Sequence, residues 1–290
     1  MKQTALYRYI IFTAFSSFIL IMAGGLVTST GSGLSVPDWP LSYGQYFPPM
    51  IGGIRFEHTH RVIAGLVGFM TLGLTIFILR KETRVWMRRL GIIAFLAVVA
   101  QALLGGATVI YLLPRAVSVA HACLAQTFFS LVVSLAYFTS IEWKEKRVVE
   151  SKNTRSLRNL LLVTTTFIYL QLIFGALVRH GDKKDPVINF HYFFAFLVFI
   201  HVIFILSRLL REKQIYDKFF THGVILGGFV IAQVLLGFGA LMFTRILESE
   251  YPTTAQVLFT TAHHSLGALI LATSLLLTLR VFRLVVKGRV

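Results

Sequence analysis

Eight apolar runs, each about as long as a bilayer is thick, follow one another along this chain and leave it few folds to adopt. They fall at about 5–27, 56–79, 90–111, 116–140, 157–178, 187–209, 219–243 and 255–282. About 20 helical residues cross a hydrocarbon core of about 30 Å. A helix satisfies its own backbone hydrogen bonds, which lipid cannot do. The predicted fold class is therefore an all-α membrane protein with eight transmembrane helices. Composition agrees, with 56% of the 290 residues hydrophobic and only 14% charged. The first run follows Lys2 and Arg8 as a signal peptide would, but it lacks a small-residue cleavage site and reads as a mature helix.

A net charge of +16 would suit a nucleic-acid binder. Here the basic residues sit in short connections between runs, so membrane topology accounts for them and no nucleic-acid partner is expected. One side collects Lys2 and Arg8, then Arg80, Lys81, Arg84, Arg88 and Arg89. It also holds Lys144, Lys146, Arg147, Lys152, Arg155 and Arg158, then Arg208, Arg211, Lys213 and Lys218, and finally Arg280, Arg283, Lys287 and Arg289. These are most of the 28 Lys and Arg residues. The expected location is the cell inner (cytoplasmic) membrane, with the basic side and both termini cytoplasmic. The long connection "TSTGSGLSVPDWPLSYGQYFPPMIGGIR" is then external, and its Gly, Pro and aromatic content predicts an ordered loop. Cys123 is the only cysteine, so no intrachain disulfide can form.

The chain repeats itself. "QALLGGAT" at 101–108 returns as "QVLLGFGA" at 233–240, and "VAHACLA" at 119–125 as "TAHHSLG" at 261–267. "GGLV" at 24–27 corresponds to "GALV" at 175–178, and "EHTHRVIA" at 57–64 falls on "INFHYFFA" at 188–195. The expected organisation is an amino-terminal four-helix half (1–140), a cytoplasmic linker (141–156) and a carboxyl-terminal four-helix half (157–290). An even number of spans per unit gives both halves one orientation, as two four-helix bundles related by a pseudo-twofold axis along the membrane normal.

The repeat sorts the nine histidines. His60 pairs with His191 and His121 with His263, whereas His58, His180, His201, His222 and His264 have no repeat partner. The four matched residues lie near the external ends of their helices and so share a depth. Two imidazoles facing each other across a bundle can hold one haem iron from both faces. The expected iron ligands are His60 with His121 in one half and His191 with His263 in the other. Zinc is the competing metal, but a closed zinc site takes four ligands at one point. The glycine-rich stretches suit either a flat macrocycle or close helix packing.

One asymmetry breaks the repeat. Glu57 shares a helix face with His60, while the matching position before His191 is Ile188. Arg61 likewise falls on Tyr192. A carboxylate beside only one pocket can move a proton or stabilise developing charge. Its alternative is a simple hydrogen-bonding role at the helix start. His58 lies about 200° around the helix from His60 and cannot address the same iron. His264 competes with His263 as a ligand, with His263 favoured by the repeat. Arg55, Arg115, Arg179 and Arg245 sit near external helix ends, suited either to haem propionates or to interfacial snorkelling.

"GLVTSTGSGLSVPDWP" at 25–40, the E-x-x-H of Glu57 and His60 followed by Arg61, "QALLGGATV" before "AHACLAQ", and "QVLLGFGA" before "AHHSLGA" together resemble the heme A synthase family. The resemblance covers nearly the whole chain. It implies oxidation of a methyl group of heme O to a formyl group, giving heme A for terminal oxidases. It implies catalysis at Glu57, substrate haem on His60 and His121, and a permanent haem b on His191 and His263. An electron acceptor, with a quinone as one candidate, the heme O-forming prenyltransferase and a second copy of the chain are further candidate partners. Many bacterial members carry two cysteines in the first external loop, where this chain has Val36 and Ser42, so Trp39, Tyr43, Tyr46, Phe47 and the prolines are expected to order it instead. Two other classes compete. A dihaem cytochrome b-like electron carrier would share the four ligands without substrate chemistry. A transporter with parallel repeats would need polar groups nearer the midplane.

Overall fold

Each apolar run forms a helix, and six of the eight helices are longer than their runs. The computed structural model describes residues 5–145, 148–182, 184–247 and 249–288. Lys2, Lys146, Arg147 and Arg289, counted above among the basic residues, lie outside the described residues. The long helices are α1 (Ala5–Ser29), α2 (Ile54–Lys81), α3 (Val85–Ile110), α4 (Arg115–Thr139), α6 (Thr154–Arg179), α7 (Val187–Leu209), α8 (Lys213–Leu241) and α9 (Thr254–Leu284). By length and composition all eight can cross a membrane. α3 starts before Arg88 and Arg89, and α8 includes Lys213 and Lys218, all placed in connections on sequence grounds. Long basic side chains let a helix continue into the headgroup layer while the charge stays wet.

Buried apolar side chains fall into two clusters. One draws on α1–α4 and includes Ile10, Leu74, Ile78, Met87 and Leu135, with Ala268 and Ala272 of α9 joining it. The other draws on α6–α9, around Leu161, Ile205, Phe219, Leu226 and Leu277. Helix packing follows the chain (α1 on α2, α3 on α4, α6 on α7, α8 on α9), and α9 also packs on α1 and α4.

The 141–156 linker has more structure than its sequence advertised. It forms a short helix α5 (Ile141–Glu145) and a strand β1 (Val149–Ser151) paired in parallel with β2 (Val285–Lys287), Val149 opposite Val285. Thr154 donates to the Val286 carbonyl at 3.1 Å and Arg158 to the Val285 carbonyl at 2.7 Å. Glu142 pairs with Arg280 at 2.7 Å and with Lys218 at 3.4 Å. Burial alone would raise the Glu142 carboxyl, but the Arg280 and Lys218 charges outweigh it and hold the group below its ordinary value.

The loop between α1 and α2 is held by two of the four aromatic residues expected and by other groups. Tyr46 and Phe47 are 77% and 92% exposed, so they pin nothing. Trp39 does: its ring lies on Gly106 of α3, where a Cβ would come within 2.7 Å. Tyr43 donates its hydroxyl to the Ser35 carbonyl at 2.8 Å. Asp38 accepts the main-chain N–H groups of Tyr43 and Gly44 at 2.7 and 2.8 Å, closing a turn in which Gly44 takes φ +67°. The Gly44 bond, with Tyr43 and Arg61 adding to it, holds the Asp38 carboxyl below the usual carboxylate range.

Candidate functional site

Each matched histidine sits on a helix that starts from the same end of the molecule, and each imidazole rests against a glycine of the preceding long helix. A Cβ on Gly24 of α1 would lie 3.0 Å from His60 Cε1. The equivalent distances are 3.1 Å from Gly105 to His121, 3.1 Å from Gly175 to His191 and 3.0 Å from Gly237 to His263. No larger residue could receive the rings without displacing them. The four seats are one geometry used four times.

The seats form two pairs. The rings of His191 and His263 face each other with centroids 6.2 Å apart and planes at 71°. Two imidazoles each about 2 Å from a shared metal place their centroids about 6 Å apart, so this pair fits an iron held from both sides. His60 and His121 are near enough to interact electrostatically. The Nδ1 atoms of His60, His121 and His191 are shielded and have no hydrogen-bond partner. His263 Nδ1 instead lies 3.1 Å from the Gln233 carbonyl. Among the described residues, no three His, Cys, Asp or Glu side chains converge as an ion site.

Sequence reasoning missed the glutamines. Gln101 Nε2 lies 3.3 Å from His121 Nε2 and donates to the His121 carbonyl at 2.9 Å. Gln233 repeats this at His263, at 3.4 and 3.0 Å. Gln171 approaches only the ring of His191, at 3.4 Å. All three stand one helical turn before the receiving glycine, and the recurrence of Q-x-x-x-G at 101–105, 171–175 and 233–237 was there to be read. At His60 the corresponding residue is Leu20.

Glu57 is 3% exposed, and both of its oxygens are engaged. Oε1 pairs with Arg61 at 2.6 Å, and Oε2 accepts the Val36 main-chain N–H at 2.9 Å. Arg61 also donates to the Asp38 and Leu41 carbonyls at 2.6 and 2.5 Å. His58 points into the same loop, 2.9 Å from the Ser42 hydroxyl. One turn of α2 therefore carries both His60 and the loop's anchorage. Val36 and Ser42, at the positions compared above with cysteines, are both held by that turn.

The remaining sequence candidates separate. His264 rests on Gly25 of α1, 3.2 Å from its Cβ position, whereas His263 rests on Gly237 of α8. Arg179 reaches across to α1, donating to the Gly25 carbonyl at 2.9 Å and the Ser29 hydroxyl at 2.8 Å. Arg115 is paired with Asp185 at 2.5 Å. The Val187 N–H and Arg115 hold that carboxyl below its usual range. Arg55 is exposed over the Phe56 ring, and Arg245 lies in a π-helical turn, Met242–Ile246, that follows α8. Of the unmatched histidines, His201 bonds the Leu197 carbonyl at 2.8 Å and packs on Phe167.

Curated relatives are heme A synthases. That of Alkalihalophilus pseudofirmus is 29% identical over 180 residues, covering 60% of this chain and 59% of its own length. That of Lysinibacillus sphaericus is 30% identical over 172 residues, covering 57% and 55%. That of Exiguobacterium sibiricum is 25% identical over 226 residues, covering 70% and 74%. The chain thus spans less than two thirds of the length of the first two. A family model described as cytochrome oxidase assembly protein, COX15-CtaA, matches residues 7–52 and 54–190. That match takes in Glu57, His60 and His121 and stops one residue short of His191. Covering more than half of a chain with eight apolar spans, it makes this multi-pass membrane protein a member of the COX15-CtaA family of cytochrome oxidase assembly proteins.

Proposed function

We propose that the chain is a heme A synthase, oxidising a methyl group of heme O to a formyl group. The observation that carries this reading is the fourfold seat, two pairs of imidazoles on glycines with a buried carboxylate beside only one of them. In this reading His60 and His121 hold the substrate haem, while His191 and His263 hold a haem b. Iron and porphyrin supply the oxidation chemistry. The chain's own residues orient the macrocycle, exclude water and hold a proton acceptor at Glu57. Arg61 pairs with that carboxylate at 2.6 Å and fixes its direction, and the loop Arg61 ties down lies against it. Arg179 bonds Gly25 and Ser29 of α1 and Thr260 of α9, and Arg115 pairs with Asp185, so either would have to exchange those bonds to hold a propionate.

The same reading divides the molecule into two twofold-related bundles, supported by the two buried clusters. It puts the protein in the cytoplasmic membrane with both termini inside and both pockets near the outer face, supported by the basic residues at the other end. A haem held by His191 and His263 would supply an electron relay toward an acceptor, for which a quinone is the candidate. The enzyme that makes heme O and a second copy of this chain are candidate neighbours in the membrane.

Glu57→Gln tests the reading. The amide still accepts from Val36, so the loop and haem binding persist while proton transfer is lost. Heme A yield should fall about 100-fold or more, by chromatography of extracted haems. A normal yield would reject the role.

A second reading, a dihaem electron carrier, draws support from one fact: Glu57 has a structural task in the loop. Recovery of haem b alone from both sites of protein supplied with heme O would favour it.

A further inference from the structure

Two clefts adjoin at the end of the molecule that carries the β1–β2 pair. The larger, about 780 Å³, opens at the start of α6 between Lys152, Arg155, Arg158 and Lys287, with Phe282 as its apolar side. The smaller, about 320 Å³, follows the seam between α6 and α7 past Leu160, Phe204, Arg208 and Arg211. Ser156 lines both. Arg208 donates to its hydroxyl at 2.5 Å, so the clefts meet across one held side chain.

The larger cleft suits negative charge. Arg158 is fixed in its wall: Nη2 donates to the Phe282 and Val285 carbonyls at 3.1 and 2.7 Å, and the guanidinium lies 5.2 Å from the Phe282 ring centre. Its Nε is shielded and has no hydrogen-bond partner. Lys152, Arg155 and Lys287 are exposed, and among the described residues no carboxylate pairs with any of them. Glu212 is engaged with the Ser151 hydroxyl at 3.0 Å, and Glu150 lies by Gly288, 3.6 Å from its Cβ position. Neither lines the cleft. Asn153 gives the start of α6 no side-chain cap, so the partial positive charge of that helix end adds to the four cations.

The smaller cleft supplies what a free anion does not need. α6 starts and α7 ends at this end of the molecule. Leu160 and Phe204 therefore stand one turn deeper than Ser156 and Arg208, about 6 Å further along their helices. A basic mouth that opens on an apolar seam, at the level where the spans end, matches a molecule with an anionic head and a hydrocarbon tail. A soluble phosphate would use the mouth alone. A zwitterionic lipid would bring its own ammonium to a place already crowded with cations.

We propose that the two clefts are one binding site for an anionic glycerophospholipid. Its phosphate lies among Lys152, Arg155, Arg158 and Lys287, and an acyl chain runs along the α6–α7 seam against Leu160 and Phe204. Lys287 belongs to β2 and Lys152 directly follows β1, so the bound headgroup also ties the two strands together.

The test is native mass spectrometry of the purified protein, stripped of lipid in detergent and titrated with phosphatidylglycerol or phosphatidylcholine. Phosphatidylglycerol should bind about 10-fold more tightly or better. Glycerol phosphate, the head without the tails, should not displace it at equal concentration. Lys152→Gln with Arg155→Gln should weaken phosphatidylglycerol about 10- to 30-fold, the effect of two basic groups near a headgroup. Arg88→Gln with Arg89→Gln removes as much charge from the same end but outside the cleft, and should leave binding unchanged. All four substituted residues are exposed, and the comparison of lipids on the wild type stands without them. Equal binding of the two lipids, equal weakening by the two double variants, or displacement by glycerol phosphate overturns the proposal. None of these outcomes bears on the haem sites.

Discussion

A single absent methyl group decides where each imidazole can lie. The Cβ position of Gly237 is 3.0 Å from His263 Cε1, closer than most real contacts of a Cβ, so Gly237→Ala must push the ring by a few tenths of an ångström. Alanine is also the better helix former by about 1 kcal/mol, so the helix itself does not weaken. With His191 and His263 holding a haem as proposed, the expected outcome is a reduced low-spin haem absorbance from that site, with a melting temperature equal to or above that of the wild type. A lowered melting temperature with an intact spectrum would contradict this account. At this scale the matched histidines and Glu57 were legible, because a duplicated chain marks them by recurrence and by its failure. The glutamines were not seen, since a neutral polar residue in an apolar run carries no charge to draw notice. Its meaning depends on which histidine the neighbouring helix brings beside it.

One turn of α2 organises the whole first loop, and Arg61 is its centre. The guanidinium reaches the carbonyls of Asp38 and Leu41 while pairing with Glu57. Arg61→Ala leaves a nearly buried carboxylate unpaired, a change that costs about 3–5 kcal/mol when the pair is fully desolvated. Limited proteolysis of the protein in vesicles should then cut between residues 36 and 50 much faster than in the wild type. Arg61→Lys should protect the loop only in part, because an ammonium lacks the planar fork that meets two carbonyls and a carboxylate together. Equal cleavage rates in all three proteins would show that the loop is held elsewhere. That the loop is ordered could be read from its glycines, prolines and aromatic residues. Which side chains order it could not, because Tyr46 and Phe47 look like packing residues until their exposure is known, and Arg61 binds main-chain carbonyls, which leave no trace in sequence.

For the molecule as a whole, the eight spans could be read from apolar length alone, since lipid allows a long apolar run little besides a helix. The end that carries the β1–β2 pair and α5 could not, because these are made by contacts between segments far apart in the chain. Glu142 joins them to α8 and α9 through Lys218 and Arg280. Its carboxyl is held below its ordinary value, so the stabilisation it adds is complete above that value and is lost as pH falls through the lowered one. The melting temperature in detergent should therefore drop from about pH 5 downward more steeply in the wild type than in Glu142→Gln. Parallel curves would remove Glu142 from the account. Gly24 and Gly25 have a different reach. These neighbours on α1 receive histidines from opposite repeats, His60 of α2 and His264 of α9. The first helix is thus the strip on which α2 and α9 both rest their imidazoles. A tilt or a bulkier residue there presses on the two helices at once.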